Sequence, residues 1–216
     1  MNSIYPVFTN FKTKKKLIFY PVKKNANTSA KLFFLKHLGI EKNFFFLEDK
    51  FPRHMQNKEM HAKYIGKDNL IEFMANNTKF RKIDSGIKSC IVREPLKRFI
   101  SAYKNRILFH KDKEFYNHTI DEVLEKLENN FFENRHFLPQ TFFLGDDLKY
   151  FDIVGNVENI TEFEKKINNF FERNVKFPQL QTGGNIHKLK LTPDQIIKIE
   201  KIYDIDYDLL QIKKNR

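Results

Sequence analysis

Leu17-Ile18-Phe19-Tyr20-Pro21-Val22, then Lys23-Lys24-Asn25-Ala26-Asn27-Thr28-Ser29, then Ala30-Lys31-Leu32-Phe33-Phe34-Leu35: this stretch decides the fold. An apolar, aromatic-rich run of strand length gives way to small polar residues, and apolar residues at helical spacing follow. A short polar loop feeding a helix N-terminus offers backbone N–H groups and the positive end of the helix dipole, which suits an anion. Lys24 adds a mobile cation, and Thr28 and Ser29 add hydroxyl donors at the expected cap. The segment reads as a phosphate loop. It is not a Walker loop, because it has no glycine and its lysine precedes the small residues. Asn27-Thr28-Ser29 is also compatible with an ordinary helix cap.

A second strand-to-helix passage lies downstream. Ile87 to Val92 is a short apolar strand holding the single cysteine, Cys90, which reads as a core residue. It runs into Arg93-Glu94-Pro95-Leu96-Lys97-Arg98-Phe99-Ile100-Ser101-Ala102-Tyr103. Pro95 suits the first turn of a helix, since its missing N–H has no partner there in any case. Leu96, Phe99, Ile100 and Tyr103 make an apolar face, and the helix is expected over Pro95 to Phe109. Ser101 lies eight residues beyond Arg93, about two helical turns, so guanidinium and hydroxyl can meet on one oxyanion. The plainer alternative pairs Arg93 with Glu94 or leaves it in solvent.

Together the two segments resemble the phosphate-binding motifs of sulfotransferases that use 3′-phosphoadenosine 5′-phosphosulfate (PAPS). The nearest likeness is to the carbohydrate branch, with its heparan 2-O-type, HNK-1-type and bacterial members. The first family motif is approximately Pro-Lys-x-x-x-Thr-Ser, matched by Lys24 to Ser29, with Lys23 standing where the family has proline. The second, Val-Arg-x-Pro-x-x-Arg-x-x-Ser-x-Tyr, is matched at every fixed position from Val92 to Tyr103. His136-Phe137-Leu138-Pro139-Gln140, Tyr150 to Asn159, and Leu191 to Leu210 resemble later family elements. The resemblance therefore spans nearly the whole chain.

It implies that Lys24, Asn25, Ala26, Asn27, Thr28 and Ser29 hold the 5′-phosphosulfate, and that Arg93 and Ser101 hold the 3′-phosphate. Lys24 would neutralise charge on the departing oxygen, and a histidine would take the acceptor proton. Family position favours His61 for that base, with His54 second and His136 third, the last near the acceptor with Gln140. The implied acceptor is a hydroxyl of a carbohydrate or glycolipid, and no metal is implied. Two other classes stay open: a non-catalytic basic protein binding acidic glycan or nucleic acid, and a P-loop kinase. The kinase lacks Walker glycines and a Mg²⁺-site carboxylate after a strand. Core spacing of the phenylalanines argues against nucleic acid as a partner.

Composition sets the outer bounds. The chain has 216 residues, 41% hydrophobic, with 24 Phe and no Trp, which suffices for one domain with a sizeable core. One cysteine leaves no intramolecular disulfide. No apolar h-region occupies Met1 to Lys16 and no run approaches a membrane span, so the cytoplasm is the default expectation. The net charge of +12 favours anionic ligands. Lys12, Lys14, Lys15 and Lys16 cluster before the first strand, as a solvated lead-in or a peripheral membrane contact.

Further elements follow from pattern alone. Asn43 to Leu47 reads as a short strand, Asp68 to Ala75 and Ile120 to Leu127 as helices, and Phe151 to Val154 as a third sheet strand. Ile160 to Phe171 is an amphipathic helix, Gly183-Gly184 a turn, and Thr192 with Gln195 a capping box opening a final helical pair. Strands alternating with helices predict an α/β fold with a parallel sheet flanked by helices.

Overall fold

The computed structural model describes residues 5, 7–10, 12–39, 79–129, 132, 134–180 and 189–214. Asn43 to Leu47, His54, His61, Asp68 to Ala75 and Gly183-Gly184 lie outside them. Four strands form one sheet in the order β1 (Val7–Thr9), β2 (Lys16–Tyr20), β3 (Ile87–Val92) and β4 (Ile153–Asn156). β2 and β3 pair in parallel with Leu17 opposite Ile87, and β3 and β4 in parallel with Cys90 opposite Val154. The mixed α/β architecture is the expected one.

Three details correct the sequence reading. The sheet is not wholly parallel: β1, missed because only three residues of it pair, runs antiparallel to β2 along the edge. β2 ends at Tyr20 and not Val22, since Pro21 has no N–H to continue the ladder. The third strand begins at Ile153, two residues late, because Leu148–Tyr150 forms a 3₁₀ turn that delivers Phe151 and Asp152 as a bend.

Alternation along β2 feeds both faces of the sheet. Leu17 and Phe19 join Phe33 and Phe34 of α1 (Asn27–Leu38) and Phe163, Ile167 and Phe171 of α5 (Thr161–Phe171). Ile18 and Tyr20 join Cys90, Val92, Phe143, Phe151 and Leu209 on the other face. α5 packs closely on β4 because Gly155 has no side chain there: a Cβ would stand 2.7 Å from the Phe163 ring.

A third cluster builds a helical lobe from α2 (Pro95–Tyr103), α3 (Ile120–Glu128) and α6 (Pro193–Ile202), centred on Phe99, Phe115, Leu124, Phe137 and Ile199. Burial on this scale is the main stabilising term. α2 does not reach Phe109 as a regular helix. From Lys104 to Phe109 the chain winds as a π-helix, with the His110 N–H reaching back five residues to the Asn105 carbonyl. The short helices α4 (Gln140–Leu144) and α7 (Asp204–Leu210) lie against each other near the β3 end.

Candidate active site

The loop between β2 and α1 turns through two left-handed residues, Lys24 (φ 68°) and Ala26 (φ 52°). Each side chain there is held in a conformation that costs about 1 kcal/mol or more, and glycine, the residue such positions favour, is absent. α1 begins at Asn27 with Ala26 as its N-cap, and no side chain caps it. The expected cap by Thr28 and Ser29 therefore does not form. Instead the Ser29 hydroxyl, buried, accepts the Leu180 N–H at 3.1 Å. By contrast α2 is capped by the Glu94 carboxylate, and α3 and α6 by full capping boxes at Thr119 and Thr192. The α1 N-terminus thus carries no side-chain cap, and the positive end of its dipole suits an anion.

Gln140 ties this loop to the second motif. Its buried side-chain carbonyl accepts from the Asn25 amide (2.6 Å) and the Arg93 N–H (3.0 Å), while its NH₂ donates to the Arg93 carbonyl (2.9 Å). Asn25 also donates to the Ile91 carbonyl on β3 (2.8 Å), so its amide nitrogen fixes the loop to the sheet. Asp206 of α7 receives the Gln140 and Thr141 N–H groups and anchors α4 in turn. Gln140 is fully buried and serves as the joint between the two motifs.

Arg93 donates to the Lys24 carbonyl at 3.1 Å and faces Glu158, not Glu94, at 3.4 Å. The atom that meets the Glu158 carboxylate is Nε, and the contact is an ion pair without hydrogen-bond geometry. Ser101 stands two turns into α2, half-buried, and no hydrogen bond joins it to Arg93. Arg98, matched in the motif but given no role from sequence, is 1% exposed and donates to the carbonyls of Lys23 (3.0 Å) and His136 (3.5 Å). It brings the His136 segment beside the loop. Burial lowers the Arg98 pKa and raises that of Asp206, and each charge partly restores the other.

The result is a concentration of positive charge. Burial, then Arg106, Arg93, Arg98 and Lys23, lower the Lys24 pKa to about 7. Burial with Arg106 and Arg135 lowers Lys23 to about 8, and burial with Lys23 lowers Lys31 to about 7. His136 falls to about 2 through burial and the same cations, so its imidazole is neutral in the free protein. Cations gathered at this density call for an anionic occupant. Among the described residues no three His, Cys, Asp or Glu side chains gather as a metal site needs. A surface hollow lined by His118, Glu122 and Lys126 shares no residue with this cluster.

The family model described as "Sulfotransferase family" matches residues 9–212. The chain belongs to the sulfotransferase family. No curated protein and no solved structure matches it. Membership supports sulfuryl transfer in general, and within this sulfotransferase the matched span takes in both the loop and the α2 motif. Among the described residues no helix is long and apolar enough to cross a membrane.

Proposed function

We propose that this sulfotransferase moves a sulfuryl group from PAPS to a hydroxyl of a carbohydrate or glycolipid. The observation that carries the donor assignment is the Arg93–Lys24 contact: two anion-binding motifs, far apart in sequence, meet at 3.1 Å amid an excess of cations. The α1 amides and the Thr28 hydroxyl would take the 5′-phosphate. Ser29, whose oxygen already accepts from Leu180, retains its own proton to donate. Arg93 and Ser101 would take the 3′-phosphate that distinguishes this donor from ATP.

In the transfer the bridging S–O bond breaks with its electron pair left on the phosphate, and the acceptor oxygen bonds to sulfur. Lys24 stabilises the charge that develops on the bridging oxygen, a role suited to a preorganised cation in a partly dehydrated site. The donor's own negative charge raises the Lys24 pKa and holds it protonated. The acceptor proton needs a base. Sequence position favours His61; His136 is the imidazole that Arg98 holds beside the loop. The acceptor class rests on the resemblance of the motifs to the carbohydrate branch.

Calorimetric titration with 3′,5′-ADP, AMP and ATP tests the donor assignment. The 3′-phosphorylated nucleotide should bind tightest, and Arg93→Ala should weaken it by about 1.5–3 kcal/mol, erasing most of the preference over AMP. Equal affinity of the native protein for AMP and 3′,5′-ADP would end the assignment. His61→Ala and His136→Ala then divide the base role: the true base loses about 10²–10⁴ in rate with 3′,5′-ADP affinity intact.

A further inference from the structure

The carboxylate that faces Arg93 comes from the turn that closes β4. There the Val157 N–H donates to the Val92 carbonyl (3.0 Å), the Glu158 N–H to the Asn156 side-chain oxygen (2.8 Å) and the Asn159 N–H to the Asn156 carbonyl (3.1 Å). These bonds set Glu158 beside the end of β3. One of its carboxylate oxygens stands 3.4 Å from Arg93 Nε, and the other accepts the Glu94 N–H at 3.4 Å. Glu94 does not serve Arg93 itself, because its carboxylate is committed to the Leu96 and Lys97 N–H groups and to the Tyr207 hydroxyl.

Both contacts of the Glu158 carboxylate are long. The same chain makes a tight pair elsewhere: Arg106 meets Asp112 through Nε and Nη2, each at 2.6 Å. The Arg93–Glu158 contact is also partly open to solvent, with side-chain exposures of 23% and 25%. Neither backbone depends on it. Gln140 holds the Arg93 N–H and carbonyl, and the Asn156 side chain holds the Glu158 N–H. The carboxylate can therefore leave without disturbing the fold. It stands, moreover, as an oxyanion on a guanidinium and a backbone N–H, which are the donors a phosphate oxygen takes.

We propose that Glu158 is a displaceable internal anion: in the free protein its carboxylate takes the place of the nucleotide's 3′-phosphate on Arg93, and the phosphate expels it on binding. This rests on the donor assignment above and deepens it with a residue that sets affinity for the 3′-phosphate. Arg93 keeps a counter-charge while no nucleotide is bound. The exchange swaps one anion for another, so the expulsion of Glu158 offsets part of the intrinsic affinity. The returning carboxylate competes with 3′,5′-ADP and speeds its departure after transfer.

Calorimetric titration of 3′,5′-ADP and AMP into the native protein and Glu158→Gln tests this. Glutamine keeps the shape and removes the charge, so 3′,5′-ADP should bind about three- to tenfold tighter, with AMP within about twofold of its native affinity. In an Arg93→Ala background the same substitution should change 3′,5′-ADP affinity by less than about twofold, since the contact it relieves is gone. Glu158→Ala should act in the same direction, and it keeps the test valid if the glutamine variant folds poorly. Unchanged 3′,5′-ADP affinity overturns the proposal, as does weaker binding, which would make Glu158 a positioning residue for Arg93. An equal gain for AMP, or a gain that survives in Arg93→Ala, overturns it too, as a general effect of the lost charge. Failure of the native protein to prefer 3′,5′-ADP over AMP overturns the donor assignment itself.

Discussion

Lys24 is a cation kept among cations, and that sets its pH behaviour. Its folded pKa of about 7 lies below the usual lysine value of 10.5, with burial the first cause and Arg106 the next. The unfolded chain therefore binds more protons than the folded one between pH 7 and 10.5. Stability of the free protein rises with pH across that window, and the penalty is greatest below pH 7, where both states carry the charge. A bound polyanion reverses the bias by drawing the protons back onto Lys23, Lys24 and Lys31. Binding of 3′,5′-ADP at pH 8 should accordingly take up about one to two protons, and its affinity should decline as pH climbs from 7 to 9. Calorimetry in buffers of differing ionisation enthalpy measures this directly, and proton release on binding would refute the charge assignment. The same residue exposes a limit of sequence reading. The lysine-to-hydroxyl spacing marks the loop, yet nothing in it tells that Lys24 and Ala26 turn left-handed or that Ser29 is engaged by Leu180.

At the scale of elements, the strand-loop-helix units were legible because their signals are local. Apolar runs, Pro95 at a helix start, and the Thr192–Gln195 box all act within a few residues and appear in the structure where expected. What escaped the sequence was set by partners far along the chain. β1 is too short to carry a period and exists because β2 offers it an edge. The change from α to π winding at Lys104 leaves no pattern in the sequence, and Ile107 is buried within the π-helix. Gly155 belongs to this scale too: its role is to let α5 lie close on β4. Gly155→Ala would drive a methyl group into the Phe163 ring, and with little room to repack it should destabilise by about 1–3 kcal/mol. Urea denaturation measures that loss. Trimming the ring in a Gly155→Ala/Phe163→Leu double variant should make the second change less costly than it is alone, a coupling that simple additivity would disprove.

For the whole molecule, the net charge of +12 was the plainest statement in the sequence, and the fold concentrates part of it around one loop. Ligand binding should be visible as global stabilisation. At a hundredfold excess over its dissociation constant, 3′,5′-ADP should add about 2.7 kcal/mol. For a chain of this length that raises Tm by about 5–10 °C. AMP at the same concentration should give a smaller shift, and a shift from single-stranded DNA equal to that of 3′,5′-ADP would favour the basic binding protein instead. Family and fold were thus readable from two motifs, whereas the joint between them was not, because Gln140 lies 47 residues beyond Arg93 and is recognised only when folded. That joint has a metric consequence. One amide bonded to Asn25 on one side and Arg93 on the other sets the span between the β2–α1 loop and the α2 motif. Under the donor assignment proposed above, the protein would act as a fixed gauge, accepting a nucleotide by the distance between its phosphates and rejecting one whose second phosphate sits at the wrong carbon.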